Sequence, residues 1–121
     1  MADSGALGGE FMPSKYHARK TVVDGITFDS KREAKRYGEL KLLERAGAIK
    51  GLQRQVRYEL IPAFDVVGKH YRPTSYVADF VYTDCETGGE VVEDCKGYRT
   101  DVYRLKAKLF AHKFGVAILE T

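Results

Sequence analysis

Tyr76-Val77-Ala78-Asp79-Phe80-Val81-Tyr82-Thr83 and Glu90-Val91-Val92-Glu93-Asp94-Cys95-Lys96 are two β-prone runs separated by Asp84-Cys85-Glu86-Thr87-Gly88-Gly89, a turn by composition. If the hairpin closes symmetrically, Thr83 faces Glu90 and Asp79 faces Asp94, with Cβ atoms roughly 5 Å apart on one face of the sheet. Two carboxylates so placed repel, and apolar neighbours such as Val77, Val81 and Val92 raise the cost by reducing solvent screening. A divalent cation between them removes that repulsion. Hard, oxygen-preferring Mg²⁺, or Mn²⁺ in its place, suits a carboxylate pair whose coordination is completed by water and a phosphate.

Lys96 lies two residues beyond Asp94 and so shares its face, where an ammonium can orient a nucleophile and offset charge developing on a phosphate. Glu93 and Cys95 point to the other side, which makes Asp94 the expected ligand; a β-bulge would exchange the two acids. An Asp and a Lys two apart on a strand also form ordinary solvated ion pairs. The aspartate expected opposite, inside an apolar run, is what a surface pair does not explain.

Working outward, Thr21-Val22-Val23-Asp24-Gly25-Ile26-Thr27-Phe28 reads as a hairpin turning at Asp-Gly, preceded by a basic arm, Lys15-Tyr16-His17-Ala18-Arg19-Lys20. Ser30-Lys31-Arg32-Glu33 has the form of a capping box and opens a helix over 30–46, closed by Gly47, with Ala34, Tyr37, Leu40 and Leu43 as its apolar stripe. Glu33 either caps this helix or turns its carboxylate to the sheet, and Glu44 shares its angle. Residues 55–64 alternate as a half-buried strand, in which Gln55 either touches the site or caps the strand. Thr100 caps a second helix to about Lys113, and Val116-Ala117-Ile118-Leu119 is a short apolar strand. Helix, three meandering strands, crossover helix and strand make an α/β fold with a mixed sheet, its last strand parallel to a neighbour, and an N-terminal β-hairpin.

Residues 1–11 carry no periodic apolar pattern and precede a second methionine, so they are read as a non-native leader, with one domain over residues 12–121. The formal charge is +3; without Asp3 and Glu10 the acids fall from 17 to 15 against 20 Lys and Arg, leaving +5. That balance suits a polyanionic partner, DNA above all, with Lys15, Arg19, Lys20, Lys31, Arg32, Lys35 and Arg36 expected on backbone phosphates. No apolar run is long enough for a membrane span, and a soluble cytoplasmic location is expected. Cys85 and Cys95 read as free thiols. His17, His70 and His112 lack metal-ligand spacing, there is no nucleophile elbow, and no glycine-rich loop cradles a nucleotide cofactor.

Tyr76-Val77-Ala78-Asp79-Phe80 with Val91-Val92-Glu93-Asp94-Cys95-Lys96-Gly97 resembles the split signature of the PD-(D/E)XK nucleases. Phe28-Asp29-Ser30-Lys31-Arg32-Glu33 resembles the acidic helix that precedes their core, and the combination resembles a small phage-encoded endonuclease-like family over nearly the whole chain after the leader. The resemblance implies a restriction-endonuclease-like core, Mg²⁺ on Asp79 and Asp94, catalysis by Lys96, and Glu33 completing the acidic cluster. It further implies hydrolysis of DNA phosphodiesters in phage recombination, replication or packaging, with plain and branched substrates such as Holliday junctions both open. Ala78 stands where the proline of the superfamily's name would be. Rivals are a nucleic-acid-binding accessory protein without turnover and a structural phage protein holding a stabilising ion.

One metal site per small domain and two strands to cut imply a homodimer. Its expected contact is the second helix, where Tyr103, Ala107, Phe110 and Phe114 suit the sheet and Val102, Leu105 and Leu109 form another apolar face.

Overall fold

A computed structural model describes residues 20–96 and 98–121. The chain divides into two compact units, Met1–Ala34 and Lys35–Thr121. In the first, β1 (Thr21–Val23) and β2 (Ile26–Phe28) pair antiparallel, Thr21 against Phe28. Asp24 at φ 52° and Gly25 at φ 75° both occupy the left-handed region, as a two-residue turn between right-twisted strands requires. Lys20 bridges to Asp29 at 3.2 Å. Ser30 Oγ accepts the Glu33 backbone N–H at 3.1 Å, and α1 (Lys31–Arg45) starts from that cap. Lys15, Arg19 and His17 lie outside the described residues.

The second unit is built on a four-stranded mixed sheet. Besides β3 (Ile49–Ile61), the chain adds a small separate hairpin, β4 (Phe64–Val66) with β5 (Lys69–Tyr71), before β6 (Thr74–Asp84) and β7 (Glu90–Asp94). After α2 (Asp101–Phe114) the chain ends in β8 (Leu119–Glu120). The sheet order is β3-β6-β7-β8; the first two pairings are antiparallel and the last is parallel. The expected meander, crossover helix and parallel final strand are thus present.

Helices cover both faces of this sheet. On one side Tyr37 of α1 stacks on Phe80 at 6.3 Å. On the other, Tyr103 and Phe110 of α2 pack with Leu60, Tyr76, Ala78, Val81 and Val92. Phe110 takes Tyr58 and Tyr76 edge-on at 5.0 and 5.6 Å, the geometry favoured by ring quadrupoles. Thr100 Oγ1 accepts the Tyr103 N–H at 3.0 Å, and Gly115 closes the helix at φ 68° with its N–H on the Ala111 carbonyl.

Several boundaries differ from expectation. The last strand pairs Glu93 with Leu119 and Asp94 with Glu120, not through 116–119, because Val116 and Ile118 are drawn into the core beneath α2. The ladder of β7 stops at Asp94 rather than Lys96. Leu43 of the α1 stripe is 39% exposed, while Leu40 is fully buried. The β4–β5 hairpin carries a weak turn signal, because Val67, at its tip, takes φ 49° without being Gly, Asn or Asp. Of the second apolar face of α2, Val102 and Leu105 are exposed, whereas Leu109 packs against the core.

Thr100→Ala, which removes the side-chain acceptor at the α2 N-terminus, should cost about 1 kcal/mol in urea denaturation, with Thr100→Ser close to the parent. An unchanged midpoint for the alanine variant would show that the cap does not hold α2.

Candidate active site

The β6–β7 ladder runs Thr83↔Glu90, Tyr82↔Val91, Val81↔Val92, Phe80↔Glu93, the symmetric closure expected from the six-residue turn. The ladder ends there, one step short of Asp79 and Asp94, and both carboxylates lie near enough to act on the Tyr76 hydroxyl. Asp79 does not continue the backbone ladder; its Oδ2 accepts the Cys95 N–H at 2.9 Å instead. Across the other edge of β6 the register passes from Arg54↔Phe80 to Val56↔Ala78, with Gln55 and Asp79 between these pairs. Gln55 takes φ 52°, a costly conformation for a residue with a Cβ, and its Nε2 lies 3.4 Å from Asp79 Oδ1. Gln55 is therefore a neighbour of the site and not a strand cap.

The same step changes the facing of β6. Tyr76 and Ala78 pack under α2, yet Phe80, of the same parity, stacks on α1, while Val81 returns to the α2 side. Strict alternation would put Tyr76, Ala78 and Phe80 together. The irregularity falls at Asp79.

Asp94 is 2% exposed and sits on the α2 face. Tyr76 donates its hydroxyl to Asp94 Oδ2 at 2.5 Å, and Lys96 Nζ lies 3.4 Å from Oδ1. Burial, reinforced by the Asp94 carboxylate, raises the Tyr76 hydroxyl far above the ordinary phenol range, so it stays a donor throughout physiological pH. The Lys96 ammonium also lies over the Tyr103 ring, 4.4 Å from its centroid. Tyr103 in turn donates to Glu120 at 3.0 Å, and Arg99 pairs with the same carboxylate at 2.5 Å, holding it below the usual carboxylate range.

Each aspartate thus has one oxygen on a donor that barely moves, a backbone amide or a buried hydroxyl, and the other oxygen facing a longer side chain, Gln55 or Lys96. Among the described residues no group of three or more His, Cys, Asp and Glu is arranged around a metal position. Mg²⁺ does not require one: it commonly takes one or two carboxylates and keeps water and phosphate for the rest of its octahedron. Asp79 and Asp94, oriented by these fixed donors, fit that use.

Glu93, adjacent in sequence, is fully buried on the opposite face. Arg36 of α1 clamps it, with Nε on Oε1 and Nη2 on Oε2, the second at 3.1 Å. Tyr82 and Thr121 add hydroxyl donors at 2.6 and 3.1 Å. The pair lifts Arg36 above its ordinary basicity, and burial pushes the Tyr82 hydroxyl up to about 12. Arg36 also bonds Glu39, so its guanidinium is committed within the protein rather than presented to phosphates as expected. Lys31, Arg32 and Lys35 are exposed on α1. Glu33 is buried, at 8% exposure, and its amide is satisfied by Ser30. Glu44, its angular rival, holds Lys41 and the Leu52 N–H, which keep it below the usual carboxylate range.

Two clefts open at opposite ends of β6. One, of about 610 Å³, is lined by Leu43, Ile49 and Val91 together with Asp84 and Glu86, which repel phosphate. The other, of about 330 Å³, includes Tyr76, Lys96 and Tyr103 in its wall, the first two of which contact Asp94. Cys85 and Cys95 are not joined in a disulfide, Cys95 Sγ lies 3.3 Å from Thr121 Oγ1, His70 of β5 pairs with Asp65 at 2.9 Å, and His112 is exposed on α2.

A family model described as Protein of unknown function (DUF1064) matches residues 13–119. The chain belongs to this family. No curated protein and no solved structure matches it. No helix among the described residues is long and apolar enough to cross a membrane.

The Glu93 clamp gives a direct test. Arg36→Ala leaves a buried carboxylate without its counter-charge and should destabilise the protein by about 3–5 kcal/mol in chemical denaturation, with Arg36→Lys intermediate because it cannot bond bidentately. A loss below about 1 kcal/mol, typical of exposed pairs, would place Glu93 in contact with solvent.

Proposed function

We propose that this chain is a Mg²⁺-dependent DNA endonuclease with a restriction-endonuclease-like core, hydrolysing phosphodiester bonds. The observation that carries the reading is Asp79 bonded to the Cys95 amide, next in the chain to the buried Asp94 at the end of the β6–β7 ladder, with Gln55 and Lys96 facing the outer oxygens of the two acids. A fold that only needed stability would be better served by apolar residues there, since burying the Asp94 carboxylate and half-burying Asp79 nearby costs free energy. Strain at Gln55, aimed at Asp79, belongs to the same pattern, because unfavourable backbone conformations cluster where function requires them.

Asp79 and Asp94 would hold the ion, which when bound supplies Lewis-acid stabilisation of the phosphate. The protein's own residues do the rest. The Cys95 amide and the Tyr76 hydroxyl fix the two carboxylates, so little reorganisation is needed when substrate arrives. Lys96, steadied by Tyr103, places a positive charge beside Asp94, where it can orient the attacking water and offset charge gathering on the non-bridging oxygens. Attack by water on phosphorus breaks one P–O ester bond and leaves a phosphate monoester and a hydroxyl end.

Lys31, Arg32 and Lys35 supply sequence-independent phosphate contacts from α1. Two strands to cut and, among the described residues, one such carboxylate pair favour a homodimer, for which the exposed Val102 and Leu105 of α2, at 64% and 57%, offer an apolar contact to a second copy. Action on phage DNA, branched or plain, is the setting this reading implies.

Supercoiled-plasmid nicking tests it. Wild type should nick with Mg²⁺ or Mn²⁺ and stop with EDTA. Asp79→Ala, Asp94→Ala and Lys96→Ala should each lose at least about 10²-fold in rate. All three should stay folded, with far-ultraviolet circular dichroism matching the parent. Unchanged cleavage in any variant removes that residue from the mechanism; DNA bound but never cut supports an accessory protein instead. A single monomeric mass by light scattering, with and without a four-way junction, would rule out the dimer.

A further inference from the structure

The smaller cleft lies between the C-terminal part of β3, the start of β6 and the first turns of α2. Three cations line it, Arg57, Lys96 and Lys106, and no carboxylate does. Lys96 is accounted for by Asp94 and the Tyr103 ring. Among the described residues, Arg57 and Lys106 have no acidic partner. Like charges gathered on a concave, partly apolar wall repel one another and focus a positive potential into the space between them. The bidentate fork of Arg57 and the point charge of Lys106 both suit phosphate oxygens. Val77 in the same wall suits the apolar side of a sugar.

We infer that this cleft is a second phosphate subsite, which holds the phosphodiester next to the scissile one in the substrate strand through Arg57 and Lys106. Its place follows from shared residues: Tyr76 and Lys96 belong both to the cleft wall and to the surroundings of Asp94. A strand seated here therefore runs on to the carboxylate pair. The identity of the ligand as a nucleic-acid strand rests on the nuclease reading; the charge and shape of the cleft do not. A free phosphate monoester shares the same chemistry, and the two sources are separable by experiment.

The test uses the full chain in EDTA, so that turnover plays no part. A short fluorescein-labelled duplex is titrated across a salt series by anisotropy with wild type, Arg57→Ala, Lys106→Ala, the double variant, and Lys108→Ala, an exposed cation of α2 outside the cleft. The slope of log affinity against log salt should fall by about 1 for each cleft substitution and about 2 for the double variant, with the Lys108 variant at the parent slope and circular dichroism unchanged throughout. Arg57→Lys should restore the slope lost in Arg57→Ala. Equal slopes for wild type and the double variant overturn the subsite, whatever the nicking assay shows. Parent DNA binding that depends on Arg57 and Lys106 without cleavage in Mg²⁺ upholds the subsite while the nuclease reading fails. If calorimetry with inorganic phosphate shows binding that the double variant lacks but no duplex binds, the strand assignment is overturned, and binding of neither overturns the site altogether.

Discussion

Consecutive acids on a strand must face opposite ways, and in β7 both directions lead into the protein: Glu93 is 0% and Asp94 2% exposed. A buried carboxylate is tolerable only with its charge met by donors, so each face of the sheet has to bring a different set. On the α1 side Arg36, Tyr82 and Thr121 enclose Glu93, which ties helix, central strand and C-terminal residue into one network. On the α2 side Asp94 receives one fixed hydroxyl, from Tyr76, and one flexible ammonium, from Lys96. The first acid is closed by a bidentate guanidinium and two hydroxyls; the second keeps an oxygen on a side chain that can move.

That asymmetry separates an acid that holds the fold from one suited to chemistry. A bidentate guanidinium leaves a carboxylate little capacity for another ligand, whereas an ammonium at 3.4 Å can be exchanged for, or share, an incoming ion and phosphate. Asp79 has the same division between a fixed amide and a longer side chain. Its position depends on the break in regular pairing, for an unbroken ladder would use the Cys95 amide for a backbone carbonyl. The left-handed Gln55 is part of that break.

Charge is distributed along the sheet in step with this arrangement. Asp84 and Glu86 mark one end of β6, while Arg57, Lys96 and Lys106 surround the other, nearer the aspartates. A polyanion is repelled from the first and drawn to the second, and the potential extends about a Debye length, roughly 8 Å at physiological ionic strength.

Local patterns in the sequence were enough for the helix caps at Ser30 and Thr100, the Asp-Gly turn, the order of the helices and main-sheet strands, and the β6–β7 register from Thr83↔Glu90 to Phe80↔Glu93. Each depends on interactions a few residues apart or on period two, so the residues themselves specify it. Position 93 could be assigned only a direction: that Arg36 would enclose Glu93, and so be taken from the phosphate contacts, depends on a helix and a strand far apart in the chain meeting across the sheet. The same holds for Gln55, whose role comes from a backbone conformation its residue type disfavours, and for Arg57 and Lys106, which become neighbours only when β3 and α2 pack together. The final strand moved for a like reason, since burial of Val116 and Ile118 under α2 left Leu119 and Glu120 to complete the sheet. Short-range stereochemistry determined the elements and the β6–β7 register; long-range packing, which balances burial against charge over the whole unit, decided which of the charged residues are enclosed within the fold.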